Sequence, residues 1–178
     1  MKTLVILATL VATASIAAAQ PALTAATPAP AAEPSSYFAA GGVYGAAPRT
    51  MFIGASFEYG AQIRQGPLWF HAQVVAADAG EIDDGPLPGT LLQGRVGIEA
   101  RDCSTAWLCM IASVDGAVTH TQYMSDDASL DRVGAMVIPR VGFDVGTQYL
   151  RVRPTIELGV DSDGMAQLAV TATVAYRY

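Results

Sequence analysis

Cys103 and Cys109 are the two cysteines of the chain, and their spacing defines the first piece of chemistry. They flank a short turn and fall on the inward parity of the strands predicted on either side of it. A disulfide between them is expected in an oxidising compartment. It would close a short loop and stabilise the fold by about 2 kcal/mol on the chain-entropy model. Two thiols alone make a poor metal site, and a redox pair would more typically read C-x-x-C. The chain also has two histidines, His71 and His120. His120 is followed by Ser125, Asp126 and Asp127, which could act as base, nucleophile and orienter in acyl transfer. A solvated loop histidine accounts for the same residues, and no catalytic residue is assigned. Asp161-Ser162-Asp163-Gly164 is a fragment of a calcium-loop pattern without the remaining ligands or the distal glutamate. Neither a metal nor a cofactor is expected.

The remaining chemistry lies in charges that share one parity. Glu58, Arg95, Glu99, Arg101, Asp115, Arg140, Arg151, Arg153, Glu157 and Arg177 alternate with apolar or small neighbours. Guanidinium groups bind carboxylates bidentately, so where water is scarce these charges must pair. They share their face with Gly, Ala, Ser and Thr, as packing in a narrow lumen demands; a solvent face would favour Lys and Glu. A satisfied network that plugs the lumen is the preferred reading. A gated pore, in which those pairs open, is the functional alternative.

The elements that must position these side chains are strands. In Gln167 to Tyr178 one face is Leu168, Val170, Ala172, Val174, Tyr176 and Tyr178, and the other is Gln167, Ala169, Thr171, Thr173, Ala175 and Arg177. A period of two excludes a helix. A strand of about twelve residues with one wholly apolar face suits a tilted membrane-spanning strand. Seven more are predicted at 37–47, 50–60, 67–77, 91–101, 107–119, 132–143 and 149–160, the faces of the first being ambiguous. Asp78 to Thr90 and Gln122 to Asp131 are predicted as polar loops, Gly146 as a two-residue hairpin turn, and Asp161 to Gly164 as the last hairpin. Pro139 and Pro154 fall inside the sixth and seventh strands. A proline removes a ladder donor and belongs at edges or bulges, so either bulges are expected there or a soluble fold with shorter strands.

The composition is 52% hydrophobic and 15% charged, apolar for a soluble domain. After residue 20 no run of about 18 apolar residues occurs, which excludes a spanning helix and favours alternating lipid-facing strands. Residues 1–19 read as a secretory signal peptide: Lys2, an apolar stretch from Leu4 to Val11, and small residues at Ala17-Ala18-Ala19. Residues 20–36 form an Ala/Pro-rich spacer, predicted disordered, and 37–178 the barrel. Loss of the leader removes Lys2, the only lysine, and shifts the formal net charge from −6 to −7. Net acidity argues against a nucleic-acid partner. Phe57, Tyr59, Phe70, Phe143, Tyr176 and Tyr178 gather at one end on the apolar face, as an interfacial aromatic girdle requires.

The alternation, the loop lengths and the terminal aromatic together resemble the small bacterial outer-membrane β-barrels of the OmpA/OmpX-like and opacity-type group. The terminal residue is Tyr178 where that group usually has Phe. The resemblance implies an all-β fold, an eight-stranded antiparallel transmembrane up-and-down barrel, in the bacterial outer membrane. It implies a structural or surface-interaction role without catalysis, with Tyr176 and Tyr178 as the signal read by the barrel-assembly machinery. Outer-membrane lipid and lipopolysaccharide are the other implied partners, and the surface ligand is left open. The alternatives are a narrow porin-like channel and an outer-leaflet lipid A-modifying enzyme. Lipid-A deacylases resemble a His-x-Ser pattern on one strand, whereas His120 is followed by Thr121 and Gln122.

Overall fold

The period-two alternation becomes eight strands. The computed structural model describes residues 34–47, 50–64, 66–81, 89–125 and 128–178. The predicted signal peptide and all of the predicted spacer up to Glu33 lie outside the described residues. The strands are β1 (Ser36–Ala47), β2 (Thr50–Gln62), β3 (Leu68–Glu81), β4 (Gly89–Thr105), β5 (Leu108–Ser125), β6 (Ala128–Gly146), β7 (Leu150–Asp161) and β8 (Ala166–Arg177). Each pairs antiparallel with the next, and β1 pairs with β8 to close the barrel. Closure leaves no edge strand, the device that lets strands span a membrane with all ladders made internally. No helix among the described residues is long and apolar enough to cross a membrane.

The faces are inverted relative to a soluble barrel. Outward-pointing Val133 is 70% exposed and Phe57 63%, whereas inward-pointing Arg153 is 2% exposed and Glu99 0%. This excludes a soluble barrel, in which apolar residues would line the inside. β1, whose faces the sequence left ambiguous, sends Tyr37, Ala39 and Val43 inward and Phe38 and Tyr44 outward. Tyr37 can point inward at the base, the end where β1 begins and β8 ends, because Gly60 opposite it has no side chain. A Cβ on Gly60 would strike the Tyr37 ring.

Three expectations are corrected. The strands outrun the apolar band: β3 reaches Glu81, β4 begins at Gly89, β5 reaches Ser125 and β6 begins at Ala128, so both ends of the predicted loop Asp78–Thr90 and all the described residues of Gln122–Asp131 are paired strand. Apolarity marks where lipid ends; backbone pairing continues past it, through Asp78↔Thr90 and Gln122↔Asp131. The turn after β6 is also displaced from its predicted place at Gly146. Gly146, at φ 150, still pairs with Arg151, and Thr147 N–H donates to the Leu150 carbonyl at 2.9 Å, so the two-residue turn falls at Gln148 and Tyr149.

The prolines produce gaps, not bulges. The β6–β7 ladder runs through Met136↔Asp161 and Val137↔Val160, resumes from Arg140↔Glu157 to Gly142↔Thr155, and resumes again at Val145↔Val152. The register is the same on both sides of each gap, so no residue is inserted. On their other sides Pro139 pairs with Val114 of β5 and Pro154 with Ala172 of β8. Both prolines therefore turn their donorless side to the β6–β7 seam, where the missing N–H removes rungs without displacing the strands. The register shift recorded in β4–β5 lies instead between Cys103 and Thr105, at the base.

Cys103 and Cys109 lie directly opposite one another and are bonded, with Cα atoms 3.9 Å apart. Replacing both with serine is expected to lower stability by about 2 kcal/mol, read as a drop in the urea midpoint at unchanged slope. An unchanged midpoint on reduction of the wild type would show that the bond contributes nothing.

Candidate functional site

The inward face of the barrel is divided by height. Toward the mouth, the end opposite the base, Val43, Phe52, Val75, Ala77, Ala79, Leu91 and Ala169 form an apolar cluster inside the lumen. A cavity of about 200 Å³ opens above it, lined by residues including Phe52, Leu91, Thr119, Met165 and Gln167. At mid-height Arg95 donates to Glu157 and, at 3.1 Å, to Gln73 Oε1. Thr171 Oγ1 donates to the other Glu157 oxygen at 2.7 Å. Below that the lumen is a continuous charge network.

Glu58 and Glu99 are its two centres. Arg140 Nη1 donates to Glu58 Oε2 at 2.9 Å and Arg153 Nη1 to Glu58 Oε1 at 2.8 Å. Tyr37 donates its hydroxyl to the same Glu58 oxygen. Glu99 accepts from Arg153 Nη2, from Arg101 Nε and, at 3.3 Å, from Arg140 Nη2. Both carboxylates and both bridging guanidiniums are buried. Paired charges at this depth are tolerated only when their remaining lone pairs and protons are also satisfied, and these two carboxylates meet that condition.

Glu58, His71 and Glu99 also have the composition of a metal site, with their ligand atoms within 4.8 Å of one another. The cation among them is a guanidinium: Arg140 Nη2 lies 3.4 Å from Glu58, 3.3 Å from Glu99 and 3.2 Å from His71 Nε2. His71 Nε2 is also 2.8 Å from Asp115 Oδ1. The arrangement holds arginines in place and presents no open ligand position.

The base carries the densest charge. Asp144, fully buried, faces Arg101, Arg151, Arg153 and Arg177. Arg177 donates to its Oδ2. Arg151 is committed to the backbone, donating to the carbonyls of Thr147 at 2.9 Å, Asp144 at 3.1 Å and Ala106, which ties the β6–β7 turn to the β4–β5 turn. Trp69 and Tyr37 stack as a tilted pair 5.7 Å apart. Arg101 lies 3.8 Å over the Trp69 ring and Arg153 4.4 Å over Tyr37, close enough for cation–π attraction.

Every one of the ten inward charges named from sequence thus has a place in the lumen. Asp144 was missed because the predicted sixth strand stopped at Phe143; one more step of the same alternation points it inward. Tyr37 was missed because a Gly-rich strand has no legible faces. His120 points outward at the mouth end, registered between Leu92 and Val133, away from the lumen. Asp126 and Asp127 lie outside the described residues, as does the Ser125 side chain. Tyr176 and Tyr178 are exposed on the outer face at the base. Tyr178 stacks on Phe38, and Phe38 meets Tyr59 at 5.2 Å. Trp107 and Tyr149 are exposed at the same end.

The architecture is shared with solved structures. Neisserial surface protein A aligns with a TM-score of 0.68 at 8% identity, over 80% of this chain and 97% of that one. Ail, the attachment invasion locus protein of Yersinia pestis, aligns at 0.63 and 10% identity, over 83% and 100%. The N-terminal β-barrel domain of Pseudomonas aeruginosa OprF aligns at 0.54 and 10% identity, over 80% and 98%. No protein-family model matches the sequence, and no curated protein does. At these identities the likeness is one of fold: the chain has the closed eight-stranded antiparallel barrel of small outer-membrane proteins.

Proposed function

We propose that this protein is an integral barrel of the bacterial outer membrane that does not conduct, and that its role is structural or one of surface interaction. The observation that carries this reading is the doubly filled lumen: a paired Arg–carboxylate network below and the apolar cluster around Phe52 and Leu91 above. An eight-stranded interior is just wide enough for side chains to fill. A channel would need both layers to move, which the apolar layer has no charge to drive.

The outer face supports the membrane placement. Asp78, Thr90, Gln122 and Asp131 are successive neighbours across β3–β6, and they cap the apolar band with a polar row. His120 sits one row lower, among apolar residues, which favours a boundary position over a catalytic one. The aromatic end at the base is the periplasmic side, so the mouth faces outward. Among the described residues at that end, Asp78, Asp131, Asp161 and Asp163 outweigh Arg132. Ail has been solved with the heparin analogue sucrose octasulfate. An acidic mouth disfavours such a polyanion and favours cationic partners, including divalent ions bridging to lipopolysaccharide phosphates.

Four measurements test this. Intact cells treated with protease should lose the 82–88 connection, and the purified protein should show heat-modifiable gel mobility and require detergent for extraction. In planar bilayers it should give no unitary current steps. Recovery of a freely soluble periplasmic protein would refute the membrane reading; steady conductance that survives substitution of lumen charge pairs would replace it with the channel.

A further inference from the structure

The base of the lumen holds guanidinium donors that no acceptor takes up among the described residues. Of the four arginines facing Asp144, Arg153 is bound to Glu58 and Glu99, and Arg151 to backbone carbonyls. Arg101 and Arg177 remain. Arg101 gives its Nε to Glu99, but Nη1 and Nη2 are both buried without a hydrogen-bond acceptor among the described residues, as is Arg177 Nε. Arg101 Nη1 comes only within 3.5 Å of Asp144. The face of Arg101 is covered by Trp69 at 3.8 Å and Tyr37 at 4.6 Å, so what it still offers is its edge of N–H donors.

A buried lysine could shed its proton in such a place; a guanidinium cannot. Buried donors left without acceptors cost about 1–3 kcal/mol each, more when charged. The chemistry that answers two converging guanidinium edges is an oxyanion, whose oxygens accept several charge-assisted bonds at once. Access is from the base, where the Arg177 side chain keeps 12% of its surface exposed. Asp144, which accepts at Oδ2 but not at Oδ1, acts as an internal anion competing for the same donors.

We propose that Arg101 and Arg177, with Trp69 as the wall of the site, bind a phosphate-type oxyanion at the periplasmic base of the barrel. Free phosphate and the phosphoryl group of an inner-leaflet lipid share that chemistry. This inference uses the side-chain geometry of the base and stands whether or not the barrel proves to be a channel.

Trp69 reports on the site directly. With Trp107, the second tryptophan, replaced by phenylalanine, the folded protein in a maltoside micelle is titrated with inorganic phosphate against chloride at matched ionic strength. A saturable change in Trp69 emission with phosphate, absent with chloride, is expected. Arg177→Gln should abolish it. Asp144→Asn, which removes the competing anion, should tighten binding by roughly tenfold or more, the worth of one charge-assisted bond. A parallel arm in phosphate-free buffer adds phosphatidylglycerol to the micelle; a response confined to this arm assigns the site to a lipid headgroup. No saturable response in either arm overturns the proposal, as does an unchanged response in Arg177→Gln or weaker binding in Asp144→Asn.

Discussion

Replacing Arg140 with methionine will lower the stability of the folded barrel by about 3–5 kcal/mol, the cost of removing one partner from a buried ion pair. The loss does not come from volume, because methionine fills much of the same space. It comes from what is left behind. Arg140 Nη1 and Nη2 serve Glu58, Nη2 also serves Glu99, and Nε donates to Ser113 Oγ at 3.0 Å. Without that guanidinium, two carboxylates that both bind it are left with Arg153 as their shared cation. Urea unfolding in lipid vesicles, followed by the mobility difference between folded and unfolded bands, measures the effect. Adding Glu58→Gln to Arg140→Met should restore part of the loss, since the orphaned charge is then gone. A single mutant within about 1 kcal/mol of wild type would mean the network is solvated and the lumen is not sealed.

The same substitution at two adjacent glycines will give opposite results. Gly41 points into the lumen at the β1–β8 closure, opposite Thr173. A Cβ there would run into the backbone carbonyl oxygen of Ala172 and the Thr173 Cα. These atoms belong to the ladder that closes the barrel and cannot swing aside as a side chain could. Gly41→Val is expected to cost about 3 kcal/mol or more, at or beyond the upper end for overpacking, and to reduce the yield of folded protein. Gly42 points outward, and a Cβ on it meets nothing nearer than the Gly54 carbonyl oxygen at 3.8 Å. Gly42→Val should therefore stay within about 0.5 kcal/mol of wild type, the usual range for a surface change. Equal destabilisation by both would show that valine acts through strand propensity and not through the closure.

Much of the barrel was legible because a strand exposes its environment in a period of two. Phe57 outward beside Glu58 inward, or Val152 outward beside Arg153 inward, follows from parity alone. Parity carries no information on where pairing stops, so β5 was predicted to end near Thr119 when it continues to Ser125. It is also silent for residues without side chains to sort, which hid the inward turn of Tyr37. Pro139 and Pro154 could be located but not interpreted. Which side of a strand a missing N–H faces depends on the hydrogen-bonding phase, and only the paired neighbour reveals it.

Sequence alone determined the fold class, the two faces and the set of charges that must share an interior, because alternation is local and lipid or lumen selects each face residue by residue. The tertiary structure decided who pairs with whom. Arg153 reaches Glu58 across 95 positions and Arg95 reaches Glu157 across 62, distances that no local pattern encodes. Closure of β1 on β8 and the stagger of the strands set the heights at which side chains from opposite walls meet. That geometry placed the apolar cluster above the charges, put Arg140 where a metal could have been, and gathered four arginines around Asp144 at the base.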